Sequence, residues 1–181
     1  HIDLANGISV DIGGNQGVFS ELIATVFGKA PMYIFDVIPR FVADLRSKFP
    51  ESTVEHLAVS DGSVETVDIK GASTWKSDFN TGASILSRGP SYDAVLATVK
   101  TTTLDTFFTA RSGDKTDIAF LKVDTEGADG RVLRGAEKLL RAKKINCIFW
   151  ENNKMQNEIG DSLYKNVQFL NSVGYSSFVV A

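Results

Sequence analysis

Short apolar runs alternate along this chain with segments of helical period, and that alternation restricts the possible fold more than any other feature. Ile8 to Ile12 is a brief apolar run leading into glycines. Phe19, Leu22, Ile23, Val26 and Phe27 then recur at spacings of three and four, the mark of one helix stripe, which stops at Gly28. Met32 to Phe35 reads as a second strand. Pro39, suited to a first helical turn, opens a helix with Phe41, Val42, Leu45 and Phe49 inward. Val54 to Val59 is a third strand and Val64 to Ile69 an additional one, while Gly71 to Pro90 is mostly polar, either a lid or a plain loop. Ile118 to Asp124 restores the strand signal, followed by a helix with Val132, Leu133, Ala136, Leu139 and Leu140 inward. Ile145 to Glu151 is the next strand. A last helix with Leu163, Val167 and Leu170 on its inner face precedes a terminal strand, Tyr175 to Val180. This order predicts an α/β fold with a mostly parallel sheet covered by helices on both faces.

At 181 residues, 43% of them hydrophobic, the chain suits one core, so residues 1–181 read as a single domain. His1 in place of Met suggests a fragment or a trimmed chain. The net charge of −3 lacks the clustered cations that nucleic acid requires. No apolar run approaches the ~20 residues of a membrane span, and no basic-then-apolar leader opens the chain. The expectation is a cytoplasmic protein without nucleic-acid or membrane partners. Cys147, the single cysteine, allows no intramolecular disulfide and reads as a small buried hydrophobe.

The stretch VDIGGNQG, Val10 to Gly17, places glycines between the first strand and the first helix, where a cofactor can approach backbone N–H groups. A dinucleotide fingerprint started at Gly13 needs glycine at 15 and 18, which are Asn15 and Val18. The pattern that stands here is Asp11, Gly13, Asn15, Gly17. An acidic residue against such a turn repels a pyrophosphate but suits a cofactor carrying an ammonium and a sulfonium, as S-adenosyl-L-methionine does. Asp36, closing the second strand, is placed to accept ribose hydroxyls.

With VDIGGNQG, the blocks FDVIP, AVSD (Ala58 to Asp61), TTLDTF (Thr102 to Phe107), KVDTEGAD (Lys122 to Asp129) and FWE (Phe149 to Glu151) stand in order. In these blocks the chain resembles the FkbM family of S-adenosylmethionine-dependent methyltransferases. It departs from that pattern at Gly14, usually alanine, at Asp36 and Asp129, usually glutamate, and at Val37, usually proline. The resemblance implies a Rossmann-like, doubly wound sheet with the cofactor across the strand ends. It implies Asp11, Gly13, Asn15 and Gly17 around the methionine part, Asp36 at the ribose, and Ala58, Val59 and Ser60 near the adenine. It further implies methylation of a hydroxyl oxygen on a small molecule, sugar, glycan or natural product.

A hydroxyl acceptor needs a base near the methyl group. Asp124, at the end of a central strand, and Glu126 just beyond it are the catalytic candidates; the plainer reading of Glu126 is a helix N-terminal acid. Lys122 reads as a structural partner for a carboxylate, and His56 as a strand residue with a local partner. Glu151, Asn152 and Asn153 with Asp124 are similar to the oxygen ligands of metal-dependent O-methyltransferases, although asparagines after a strand also form turns, and no metal site is assigned. Trp75 and Phe79 either close over an acceptor or cover the core edge. Two further readings remain: a non-catalytic module that keeps the cofactor fold, and a nicotinamide oxidoreductase, which the glycine spacing disfavours.

Overall fold

The computed structural model describes residues 7–28, 31–72, 83–86, 89, 91, 93–112, 116–152, 155–158 and 160–180. Within them the strands are β1 (Ile8–Ile12), β2 (Met32–Asp36), β3 (Thr53–His56), β4 (Ala58–Val59), β5 (Thr66–Gly71), β6 (Ala94–Thr102), β7 (Ile118–Val123) and β8 (Ile145–Trp150). The helices are α1 (Val18–Phe27), α2 (Pro39–Lys48), α3 (Leu104–Ser112), α4 (Asp129–Arg134), α5 (Glu137–Arg141), α6 (Met155–Glu158) and α7 (Leu163–Ser172).

Five parallel strands form one sheet in the order β3-β2-β1-β7-β8. The chain winds outward from β1 through β2 to β3, then resumes on the other side of β1 with β7. Ligands in open α/β sheets lie at such a reversal, beyond the carboxyl ends of the strands. A second sheet, β4-β6-β5, pairs β4 with β6 in parallel and β5 with β6 antiparallel. The strand expected over Val54 to Val59 is therefore divided at Leu57 between the two sheets.

Alternation along each strand sends side chains to two cores. Val10, Ile12 and Phe35 join residues of α3, α4, α5 and α7 on one face, while Ile34 packs with Ile23 of α1 and Phe41, Val42 and Leu45 of α2 on the other. The periodicity of α2 thus holds. That of α1 holds in part: Ile23 is buried, but Leu22 and Val26 are 53% and 64% exposed. One element cannot bury a stripe this wide against a single sheet face, so only the residues over β7 and β2 find partners. On α7, Leu170 faces the core and Leu163 does not, and a polar residue, Asn166, takes an inner position.

Tyr175 to Val180 forms no strand: Tyr175 donates its hydroxyl to the Ile145 carbonyl at 2.6 Å, but the segment enters neither sheet, and Phe178 is 87% exposed. Apolar β-branched residues make a strand only where a sheet edge accepts their N–H and C=O groups. Conversely β6 and α3, which carry Val99, Leu104, Phe107 and Phe108 into the core, had no clear signal in the sequence. Cys147 is half-buried, less enclosed than expected. Trp75, Phe79 and most of the polar segment lie outside the described residues. Among those residues no helix is long and apolar enough to cross a membrane.

Candidate active site

Asp11 on β1 stands in register with Lys122 on β7, so both side chains leave the sheet toward α1. Lys122 Nζ lies 3.0 Å from Asp11 Oδ1, and Ser20 Oγ of α1 donates to Asp11 Oδ2 at 2.5 Å. The same ammonium donates to the carbonyls of Gly13 (2.6 Å) and Ile12 (3.3 Å) and lies 3.7 Å from Asp124 Oδ2. Burial pushes the Asp11 carboxyl up, offset by the Lys122 charge and the Ser20 hydroxyl. Asp11 has no exposed surface. Asp11, expected beside a cofactor cation, does not line the cleft in this conformation; its charge faces Lys122, which in turn fixes the end of β1.

Beyond β1 the chain turns sharply. Gly13 has φ 82°, and a Cβ there would collide with the carbonyl oxygen of Asp124, so glycine is needed both for the turn and for the close approach of β7. Gly14 replaces alanine for a related reason, since a Cβ there would press into Ile34 and Leu45. Gly17 precedes α1 and abuts Phe49 and Leu45 of the α2 region. Gly17, expected beside the cofactor, does not border the cleft.

A cleft lies across the ends of β1, β2, β4 and β7. Gly13, Asn15, Asp36, Ala58, Val59, Ser60, Asp124 and Glu126 all line it, so eight of the ten residues expected at the site come together there. Asp36 binds the turn: its Oδ2 accepts the N–H of Asn15 at 2.7 Å and its Oδ1 that of Ile38 at 2.8 Å. Burial pushes this carboxyl up, and the N–H groups of Ile38, Asn15 and Val37 hold it down. Of the about four lone pairs of a carboxylate, at least one is left for a ligand. Opposite, the hydroxyls of Ser60 and Thr125 are buried without a hydrogen-bond partner. Such groups are costly unless a ligand or water satisfies them. The acids Asp36, Asp124 and Glu126 border the cleft and no described lysine, arginine or histidine does, an electrostatic setting for a cation rather than a pyrophosphate.

Glu126 is not a helix cap. It precedes α4 by three positions at φ 55°, a left-handed conformation that a side chain adopts at a cost. The acid that sequence reasoning passed over is Asp129 in the first turn of α4, whose Oδ1 and Oδ2 accept the N–H groups of Thr125 and Gly127, each at 3.2 Å. Its place at the end of KVDTEGAD was the one available signal. His56 sits outside the cleft, with Nε2 3.1 Å from the Val37 carbonyl. Among the described residues no three His, Cys, Asp or Glu side chains cluster as metal ligands.

Burial raises the Asp129 carboxyl from 3.8 to about 7, against the opposing N–H groups of Thr125 and Gly127. Between those values the unfolded chain has released a proton that the folded chain retains, so stability falls as pH rises through the window and levels off above it. Urea unfolding of the protein and of D129N should show their stability difference declining from pH 4 to pH 7 and constant beyond pH 8. A flat difference throughout would mean that Asp129 does not titrate in this range.

The chain is thus a doubly wound α/β domain with an acid-lined cleft at its switch point, where open α/β sheets take their ligands. Residues 11–177 match the methyltransferase FkbM domain, and the chain belongs to that family. A solved FkbM methyltransferase from Methylobacillus flagellatus KT superposes with a TM-score of 0.57 at 14% identity, over 96% of this chain and 39% of that one. The likeness at that identity is one of fold, and the chain spans well under half of the relative's length. No curated protein matches the chain.

Proposed function

We propose that this domain binds S-adenosylmethionine and promotes methyl transfer to a hydroxyl oxygen of a small molecule, sugar, glycan or natural product. The observation that carries the reading is a single cleft in which Asp36, Ser60, Asp124 and Glu126 converge with no cationic side chain on its described walls. The residues fit the cofactor: a strand-end carboxylate with a spare lone pair suits ribose, the unpartnered Ser60 hydroxyl beside Ala58 and Val59 suits an adenine edge, and the turn at Gly13 and Asn15 admits the amino-acid end. When bound, the cofactor supplies an electrophilic methyl group on sulfur.

The chain's own work is orientation and proton removal. Asp11 acts through Lys122, holding the Gly13 carbonyl and so the turn. Asp124 and Glu126 lie on the cleft wall where an acceptor hydroxyl needs its proton taken, and the apolar lining of Phe35, Ile38 and Phe41 limits water around the reacting centre. A nicotinamide dinucleotide is disfavoured because its pyrophosphate would face Asp36, Asp124 and Glu126 with no cation among the described lining residues.

Calorimetric titration with S-adenosylhomocysteine tests the reading, and the absence of heat at tens of micromolar ligand would overturn it. Asp36→Ala is expected to weaken that affinity by about 1.5–3 kcal/mol through loss of charge-assisted hydrogen bonds to ribose. An unchanged Kd would move the ribose elsewhere. Uptake of the ligand without methylation of any hydroxylated acceptor in a panel would favour the non-catalytic module instead.

A further inference from the structure

The loop from Asp124 to Ala128 carries both catalytic candidates yet belongs to no helix or strand, and Glu126 and Gly127 follow one another at φ 55° and 106°. Such a segment keeps one shape only if its backbone groups are held from outside. Asp124 N–H donates to Ile12 at 3.0 Å, and Ser84 Oγ donates to the Glu126 carbonyl at 2.7 Å. Asp129 holds the N–H groups of Thr125 and Gly127.

Behind Asp129 a chain of buried polar side chains runs away from the cleft. Gln156 Nε2 donates to Asp129 Oδ2 at 3.2 Å and to the Glu151 carbonyl at 2.8 Å; Asn166 Nδ2 donates to Gln156 Oε1 at 3.5 Å; Arg134 donates to Asn166 Oδ1 at 2.9 Å. Arg134 also pairs with Asp161 at 3.0 Å. Asp129, Gln156 and Asn166 are wholly buried, and none of them borders the cleft. The polarity of the chain is forced. A guanidinium only donates, so Asn166 turns its oxygen to Arg134 and its Nδ2 to Gln156 Oε1, which leaves the Gln156 Nε2 to donate toward Asp129.

We propose that Asp129, Gln156, Asn166 and Arg134 are positioning residues, a hydrogen-bonded relay that sets the shape of the loop from Thr125 to Gly127 and thereby the placement of Glu126 beside Asp124. The relay ties the ends of β7 and β8 and the short α6 to one loop, which explains why amides and charges occupy positions where an apolar core would cost less. Its consequence for ligand binding rests on the reading of the cleft given above.

Gln156→Met removes both donated hydrogens at similar volume without adding charge. At pH 8.5, above the range in which Asp129 holds a proton, amide exchange measured residue by residue should accelerate at least tenfold at Thr125 and Gly127 and stay unchanged in β1 and β2. S-adenosylhomocysteine should bind at least fivefold more weakly. Asn166→Asp, isosteric and still able to pair with Arg134, sets an acceptor against the Gln156 oxygen and should give the same two effects if Gln156→Met does not fold. Unaltered exchange at both amides overturns the relay, and so does faster exchange with unchanged affinity. If the native chain takes up no S-adenosylhomocysteine, the cofactor reading fails and the exchange rates alone decide the relay.

Discussion

Lys122→Met is expected to lower the free energy of unfolding by about 3–5 kcal/mol, because it strands a buried carboxylate without its counter-charge. Asp11 has no solvent contact, and its Oδ1 has Lys122 as its partner at 3.0 Å, with Ser20 serving the other oxygen. The ammonium also satisfies the carbonyls of Ile12 and Gly13, so its loss frees the end of β1. Removing both charges together, in D11N/K122M, should recover much of the loss, since the desolvated charge goes with its partner. Urea unfolding of the three proteins measures this. A cost under ~1 kcal/mol for Lys122→Met would show that water or another group compensates Asp11, and the pair would lose its assigned role in shaping the turn.

Gly13→Ala should cost about 2–4 kcal/mol. Part is the penalty of a side chain at φ 82°, about 1–2 kcal/mol, and the rest is displacement of the Asp124 backbone, which the new methyl would strike. Because that displacement carries Asp124 with it, binding of S-adenosylhomocysteine should fall in parallel. Gly28→Ala has no such clash, since no atom lies within 4 Å of the added methyl; at φ 68° and ψ −141° it carries a conformational penalty of its own. A loss under ~1 kcal/mol for Gly13→Ala in denaturant titrations would show that neither the turn nor the approach of β7 requires glycine there.

Much of the site could be read from the chain. The glycine turn, Asp36, the Ala58–Ser60 segment and the pair Asp124 and Glu126 were each visible, because strand ends and glycine turns leave local marks in a sequence. The pairing of Asp11 with Lys122 was not legible there. Whether a carboxylate points into a cleft or under it depends on strand parity and on what stands opposite, and Lys122 comes from a strand 111 positions later in the sequence (122 − 11). Gln156 and Asn166 left no mark at all, since a polar residue in a short helix or on α7 looks solvent-facing until its neighbours are known.

The sequence by itself determined β1, α1, β2, α2, β7 and β8, the positions where only glycine serves, and the family, because these follow from local periodicity and from short motifs. Tertiary structure alone decided that the Val54–Val59 run is shared between two sheets, that Tyr175–Val180 joins neither sheet, that Asp11 is neutralised from β7, and that a buried relay holds the loop of Glu126. Those outcomes turn on which distant groups meet, and a hydrogen bond or ion pair between strands has no local signature in either of the segments that make it.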